Sequence, residues 1–169
     1  MRKTTLLLGC ILFLAAGTAF AQQRYEASAF GTWNSLSGSG GTRDHDWDAT
    51  YLQLNLGYYI GPQIVGFLGY DRMGKVRTAS GDDKSFSMVD AGLKYYFGSM
   101  QKGQFAGFVQ AAVGLANFNG SDFAWQVGAG AAYHLTDSVS VDPSYTYLKV
   151  QTGDSLNGHI IGLRLTARF

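Results

Sequence analysis

Apolar and polar positions alternate along most of the chain. At its end, Ile161, Leu163, Leu165, Ala167 and Phe169 are separated by Gly162, Arg164, Thr166 and Arg168. Successive side chains of a strand point to opposite faces, so this stretch predicts one greasy wall and one small or charged wall. Residues 123–135 repeat the pattern: Phe123, Trp125, Val127, Ala129, Ala131, Tyr133 and Leu135 share a face against Ala124, Gln126, Gly128, Gly130, Ala132 and His134. In 52–60, Leu52, Leu54, Leu56, Tyr58 and Ile60 oppose Gln53, Asn55, Gly57 and Tyr59. In 89–97, Val89, Ala91, Leu93, Tyr95 and Phe97 oppose Asp90, Gly92, Lys94 and Tyr96. These four ends resemble one another, and Ile60, Phe97, Leu135 and Phe169 are spaced by 37, 38 and 34 residues. One such repeat is a two-stranded hairpin with its loops, so four repeats predict eight strands.

Alternation alone also fits a soluble sandwich with one wet face. Strands of about nine to eleven residues, however, match a tilted membrane crossing. Inner faces rich in glycine, glutamine and charge suit a narrow polar interior. The returning strands are placed at 24–33, 64–73, 104–115 and 138–149, although Ile64 to Leu68 is apolar on both faces. Tight turns are expected at Gly61-Pro62-Gln63, Gly98 to Gly103 and Thr136-Asp137. Longer polar loops are expected at Asn34–Asp46, Gly74–Lys84, Asn117–Asp122 and Val150–Asn157. Aromatics repeated at one strand end form one interfacial girdle, and Trp33, Trp47, Phe86, Trp125 and Tyr147 form the second. Membrane depth forbids open sheet edges. The expected fold is therefore an all-β, eight-stranded antiparallel transmembrane up-and-down β-barrel.

The first 21 residues read differently. Arg2 and Lys3 precede an apolar run from Leu6 to Ala16, and Ala19-Phe20-Ala21 is a small-x-small site. This is a secretory signal peptide with Gln22 as the expected mature N-terminus, since the run is short for a membrane anchor of about 20 residues. The barrel domain is then 22–169. Cys10, the only cysteine, leaves with the leader, so disulfides and cysteine metal sites are not expected. Of the 13 basic and 12 acidic residues, Arg2 and Lys3 also leave, giving a mature charge of −1. No basic patch points to nucleic acid, and no cofactor-binding motif is present.

At this point the chain resembles the small eight-stranded outer-membrane β-barrel family, the group of OmpX, the OmpA barrel domain and the opacity-type proteins. The resemblance covers 22–169 and rests on the leader, the eight alternating strands and the terminal strand ending in Phe169. It implies residence in the outer membrane of a Gram-negative-type cell, lipid and lipopolysaccharide as surroundings, and a monomer. It also implies that Phe169 is the signal read by the barrel assembly machinery. No peptidoglycan-binding domain follows the barrel here, so cell-wall tethering is not implied.

Six ionisable residues are expected inside: Glu26, Asp90 and Asp142 with Lys94, Arg164 and Arg168. In a narrow lumen such charges must pair, so a plug is preferred to an ion path. Asp142 and Arg164 are expected at similar heights on adjacent strands. Arg43, Lys75, Arg77 and Lys84 lie in or beside long loops and are candidate contacts for lipopolysaccharide phosphates. Asp44-His45-Asp46-Trp47-Asp48 and Asp82-Asp83-Lys84 read as solvated loop clusters, because neither has the twelve-residue calcium-loop spacing. The enzyme alternative is a lipid A 3-O-deacylase, whose pattern sets His-x-Ser on a late strand. The nearest equivalent, Ser144-Tyr145-Thr146, lacks the histidine, and His159 has no hydroxyl at the needed offset. His134 is expected to face the lumen near the tight turns. The inward glycines Gly57, Gly92, Gly128, Gly130 and Gly162 would leave room for a small channel, but glycine also serves strand curvature. A non-catalytic envelope or surface role through the loops is the expectation, with a small pore as the alternative.

Overall fold

Eight strands pair in chain order and close on themselves in a computed structural model that describes residues 24–32, 51–77, 83–117, 121–151 and 156–169. They are β1 (Tyr25–Gly31), β2 (Tyr51–Tyr59), β3 (Ile64–Arg77), β4 (Asp83–Gly98), β5 (Phe105–Asn117), β6 (Ser121–His134), β7 (Val139–Gln151) and β8 (Leu156–Arg168). Every neighbouring pair is antiparallel, including β1 with β8. The seam is tied at its end by Tyr25 N to Phe169 O at 2.8 Å and Phe169 N to Tyr25 O at 3.0 Å. The expected leader, residues 1–21, lies outside the described residues, as do Trp33, Trp47 and the acidic cluster of 44–48.

The register fixes the barrel's shape. The row of partners leaving β1 at Glu26 passes Gly57, Phe67, Gly92, Ala112, Gln126 and Leu148 and reaches β8 at Gly158. The direct β8 partner of Glu26 is Arg168, ten residues away. Eight strands with this stagger, a rise of ~3.3 Å per residue and ~4.8 Å between strands tilt by about 40°. A barrel this narrow is filled by side chains.

The alternation decides which side chains fill it. Leu54, Leu56, Leu68, Val89, Leu93, Val113, Val127, Ile161 and Leu163 point outward and are exposed, Ile161 at 70%. Alternate residues point inward and are buried, among them Gln53, Asp71, Asp90, Gln110, Gln126 and Arg164. Ile64 and Leu68 face out while Val65 and Phe67 face in, which resolves the stretch that was apolar on both faces. At the tight-turn end the outer wall carries an aromatic ring. Tyr25 meets Tyr58 at 5.4 Å and Phe169 at 6.0 Å, Tyr95 meets Phe97 at 6.5 Å, and Phe105 meets Tyr133 at 4.8 Å between ring centroids. Toward the long loops the described aromatics gather on β6 to β8, where Trp125 meets Tyr147 at 5.5 Å and Tyr147 meets His159 at 5.2 Å.

One expected connection changes most. The stretch 74–84, expected as a loop, is mostly strand, since β3 runs to Arg77 and β4 starts at Asp83. The two strands stay paired past a register shift between Met73 and Val76. Backbone pairing continues where side-chain alternation has faded, so the sequence pattern ends before the ladder does. The β4–β5 turn uses Gly98 and Gly103 at φ of 103° and 77°, a region that favours glycine.

Candidate functional site: the filled lumen

Three tiers of side chains occupy the interior. Nearest the tight turns is a hub built on Glu26 of β1. One carboxylate oxygen takes the Lys94 ammonium in a close ion pair. The other accepts hydrogen bonds from the hydroxyls of Tyr96 at 2.8 Å and Tyr59 at 3.1 Å, and lies 3.8 Å from Arg168 Nε. Arg168 donates from Nε to the Tyr59 hydroxyl at 2.9 Å, from Nη1 to His134 Nδ1 at 3.0 Å and from Nη2 to Ser140 Oγ at 3.3 Å. Lys94 also lies 5.3 Å from the Tyr96 ring and 5.6 Å from the Phe108 ring. Thus one carboxylate, two cations and two phenols answer one another, while Val65, Ala106, Phe108 and Ala132 pack around Tyr96. Nearby, Thr166 Oγ1 donates to Asp142 Oδ2 at 2.6 Å.

The middle tier centres on Arg164. Its guanidinium sits between two rings, 5.5 Å from Phe30 and 5.5 Å from Phe108. It donates to Gln110 Oε1 at 2.6 Å and Gln53 Oε1 at 2.9 Å. Gln53 passes a hydrogen bond to Gln126 Oε1 at 3.4 Å. The Gln126 amide then donates to Asp71 Oδ2 at 3.3 Å and, more closely, to Asp90 Oδ2. Glutamine carries both a donor and an acceptor, so the two amides link the guanidinium to the carboxylates without direct contact. The top tier is apolar: Phe30, Tyr51, Met73, Met88, Leu148 and Ile160 form one buried cluster under the long-loop end.

The six expected lumen residues all point inward and are buried, but they fall into separate groups. Glu26, Lys94 and Arg168 meet in the hub. Asp90 lies a tier higher, held by Gln126 rather than by Lys94. Asp142 and Arg164 are direct register partners, yet their side chains diverge to Thr166 and to the two glutamines. Antiparallel partners share a row, but each side chain follows its own partners across the lumen.

Sequence reasoning leaves Asp71 and Gln110 unplaced, and it sets Gln53, Gln126, Tyr59 and Tyr96 on inner faces without a role in the site. Asp71 shares the parity of Val65, Phe67 and Gly69, but β3 could not be phased while its start was apolar on both faces. Alternation places Tyr59 and Tyr96 on the inner faces, as the structure has them, but nothing local marks a phenol as the partner of a carboxylate on another strand. His134 is fully buried in the hub. Ser144 points into the lumen while His159 points outward, its Nδ1 2.5 Å from the Tyr145 hydroxyl. The wall therefore separates those two enzyme candidates. Lys75 and Arg77 lie on β3 and Lys84 on β4, while Arg43 and His45 lie outside the described residues.

Comparison with known proteins agrees with this geometry. The model of the outer membrane protein beta-barrel domain family matches residues 6–169. No curated protein sequence matches the chain. Among solved structures, Neisserial surface protein A is similar with a TM-score of 0.66 at 18% identity, over 86% of this chain and 96% of that one. Ail, the attachment invasion locus protein of Yersinia pestis, is similar at 0.56 and 18%, over 88% and 100%. The outer membrane enzyme PagL is similar at 0.54 and 14%, over 86% and 99%. At these identities the likeness establishes the fold alone. A closed eight-stranded barrel, greasy outside and polar inside, matched over nearly its whole length, belongs to the outer membrane protein β-barrel domain family and to that membrane.

Proposed function

We propose that this barrel is a non-catalytic envelope protein that works through its loop end, as a rigid support for surface interaction. The observation that carries the reading is the filled lumen: among the described residues a hub of paired charges, a ring-clamped arginine and an apolar cluster lie one above another along the barrel axis. With the bore occupied, chemistry is left to the ends, and loops on a rigid scaffold are the usual site of binding. The separation of Ser144 from His159 supports the non-catalytic reading, since a serine nucleophile needs a base within hydrogen-bond reach. Lys75, Arg77 and Lys84 lie at the loop end of β3 and β4, and with Arg43 of the first long sequence loop they supply cations suited to lipopolysaccharide phosphates.

The test uses folded protein, verified by its heat-dependent gel mobility, with purified lipopolysaccharide as the probe. Binding is expected to weaken at least tenfold when the four basic residues are replaced together by alanine, and the mass of lipid A is expected to stay unchanged on incubation. Unaltered binding would contradict the contact residues, and a lost acyl chain would contradict the non-catalytic reading.

A further inference from the structure

The charges of the lumen do not balance. Among the described residues four carboxylates are buried there, Glu26, Asp71, Asp90 and Asp142, against three cations, Lys94, Arg164 and Arg168. The hub holds two of those cations on Glu26. The third, Arg164, acts electrostatically on Asp71 and Asp90 but gives its described hydrogen bonds to Gln110 and Gln53. No described cation makes an ion pair with either aspartate. Buried charges in proteins are paired or coordinate metals, and both aspartates are buried, between the apolar tier and the hub.

Unpartnered polar atoms belong to the same group of residues. Asp71 Oδ1 and Asp90 Oδ1 are buried without a hydrogen-bond partner, and so are both polar atoms of the Asn55 side chain, which is 7% exposed. The lack of a side chain at Gly69 brings Asp90 Oδ1 and Asn55 Oδ1 together: a Cβ there would stand 2.0 Å from Asp90 Oδ1 and 2.7 Å from Asn55 Oδ1. The remaining carboxylate oxygens already share the Gln126 amide. The Tyr51 hydroxyl, which faces Asp71, is the other buried titratable group nearby. Two carboxylates and an amide oxygen suit a hard cation, and an excess of one negative charge calls for a single positive one.

We propose that Asp71, Asp90 and Asn55 form a binding site for one alkali-metal cation, captured as the barrel closes. Its effect is to neutralise the carboxylate pair and to tie β2, β3 and β4 together. This site stands independently of any surface role.

Protein refolded from urea in rubidium chloride and crystallised should show an anomalous scattering peak between the Asp71 and Asp90 carboxylates and Asn55. Asp71→Asn, crystallised identically, should lack it. In micelles at neutral pH, the urea midpoint of the wild-type barrel should be higher in sodium chloride than in equimolar choline chloride, whose cation is too large to enter. Asp71→Asn should show no difference between the two salts. Tyr145→Phe, altered only on the outer wall, should keep the wild-type difference. Equal wild-type midpoints in the two salts, or a rubidium map with no peak at the pair, would overturn the proposal and leave a shared proton as the source of the missing charge.

Discussion

The hub around Glu26 and the Asp71–Asp90 pair are both buried acids in one lumen, yet they are held in opposite ways. Glu26 has two cations and two hydroxyl donors on its two oxygens. The aspartates share one amide and leave two oxygens unpartnered. The difference shows that burial in a barrel does not by itself say whether a charge supports the fold. What decides is whether the opposite charge is built into the chain. In the hub it is; at the pair the chain supplies only a chain of glutamines ending on a distant guanidinium.

Substitutions can break or sharpen that contrast. The largest effect is expected from Glu26→Ala, which strands Lys94 and Arg168 in the interior. Removing one partner of a buried pair costs roughly 3–5 kcal/mol, to be read as a lower urea midpoint or as loss of the heat-dependent gel shift. Gly92→Ala comes next, because a Cβ there would meet Ala111 O at 2.4 Å and Ala112 Cβ at 2.6 Å. Overpacking of that kind costs about 1–3 kcal/mol, whereas Gly31→Ala, with nothing within 4 Å, should leave the midpoint unchanged. Arg164→Ala should lower the unfolding temperature by leaving Gln53 and Gln110 without their donor, at about 1–3 kcal/mol. Arg164→Met, which keeps contact with Phe30 and Phe108, should recover part of that loss. In choline chloride, where the pair holds no metal ion, Asp71→Asn should have the smallest cost, about 1 kcal/mol or less, because removing one of two like charges offsets the altered hydrogen bonding. A cost for Asp71→Asn equal to that of Glu26→Ala would erase the distinction between the two regions.

The outer wall was readable from sequence in a way the inner wall was not. Lipid demands only that a residue be apolar, so Ile161, Leu163 and Leu165 announce their face by type alone. The lumen demands specific partners across the barrel, and these depend on stagger. Gln53 of β2 meets Gln126 of β6 and Arg164 of β8 because of a ten-residue offset around the barrel. No local pattern contains that offset. The polar face of each strand could therefore be recognised, while the division of six charged residues into a hub and a separate upper group could not. Asp71 was lost for a simpler reason: five apolar residues in a row, from Ile64 to Leu68 with its embedded glycine, hide the parity of the strand that carries it.

The central claim is that the lumen is closed by its own side chains, and single-channel recording in a planar lipid bilayer tests it most directly. Folded wild-type protein, confirmed by gel mobility after recovery from the bilayer preparation, should give no reproducible conductance steps at any applied potential. Regular steps of fixed size from folded wild-type protein would contradict the closed lumen and would turn the Arg164 tier from a plug into a gate.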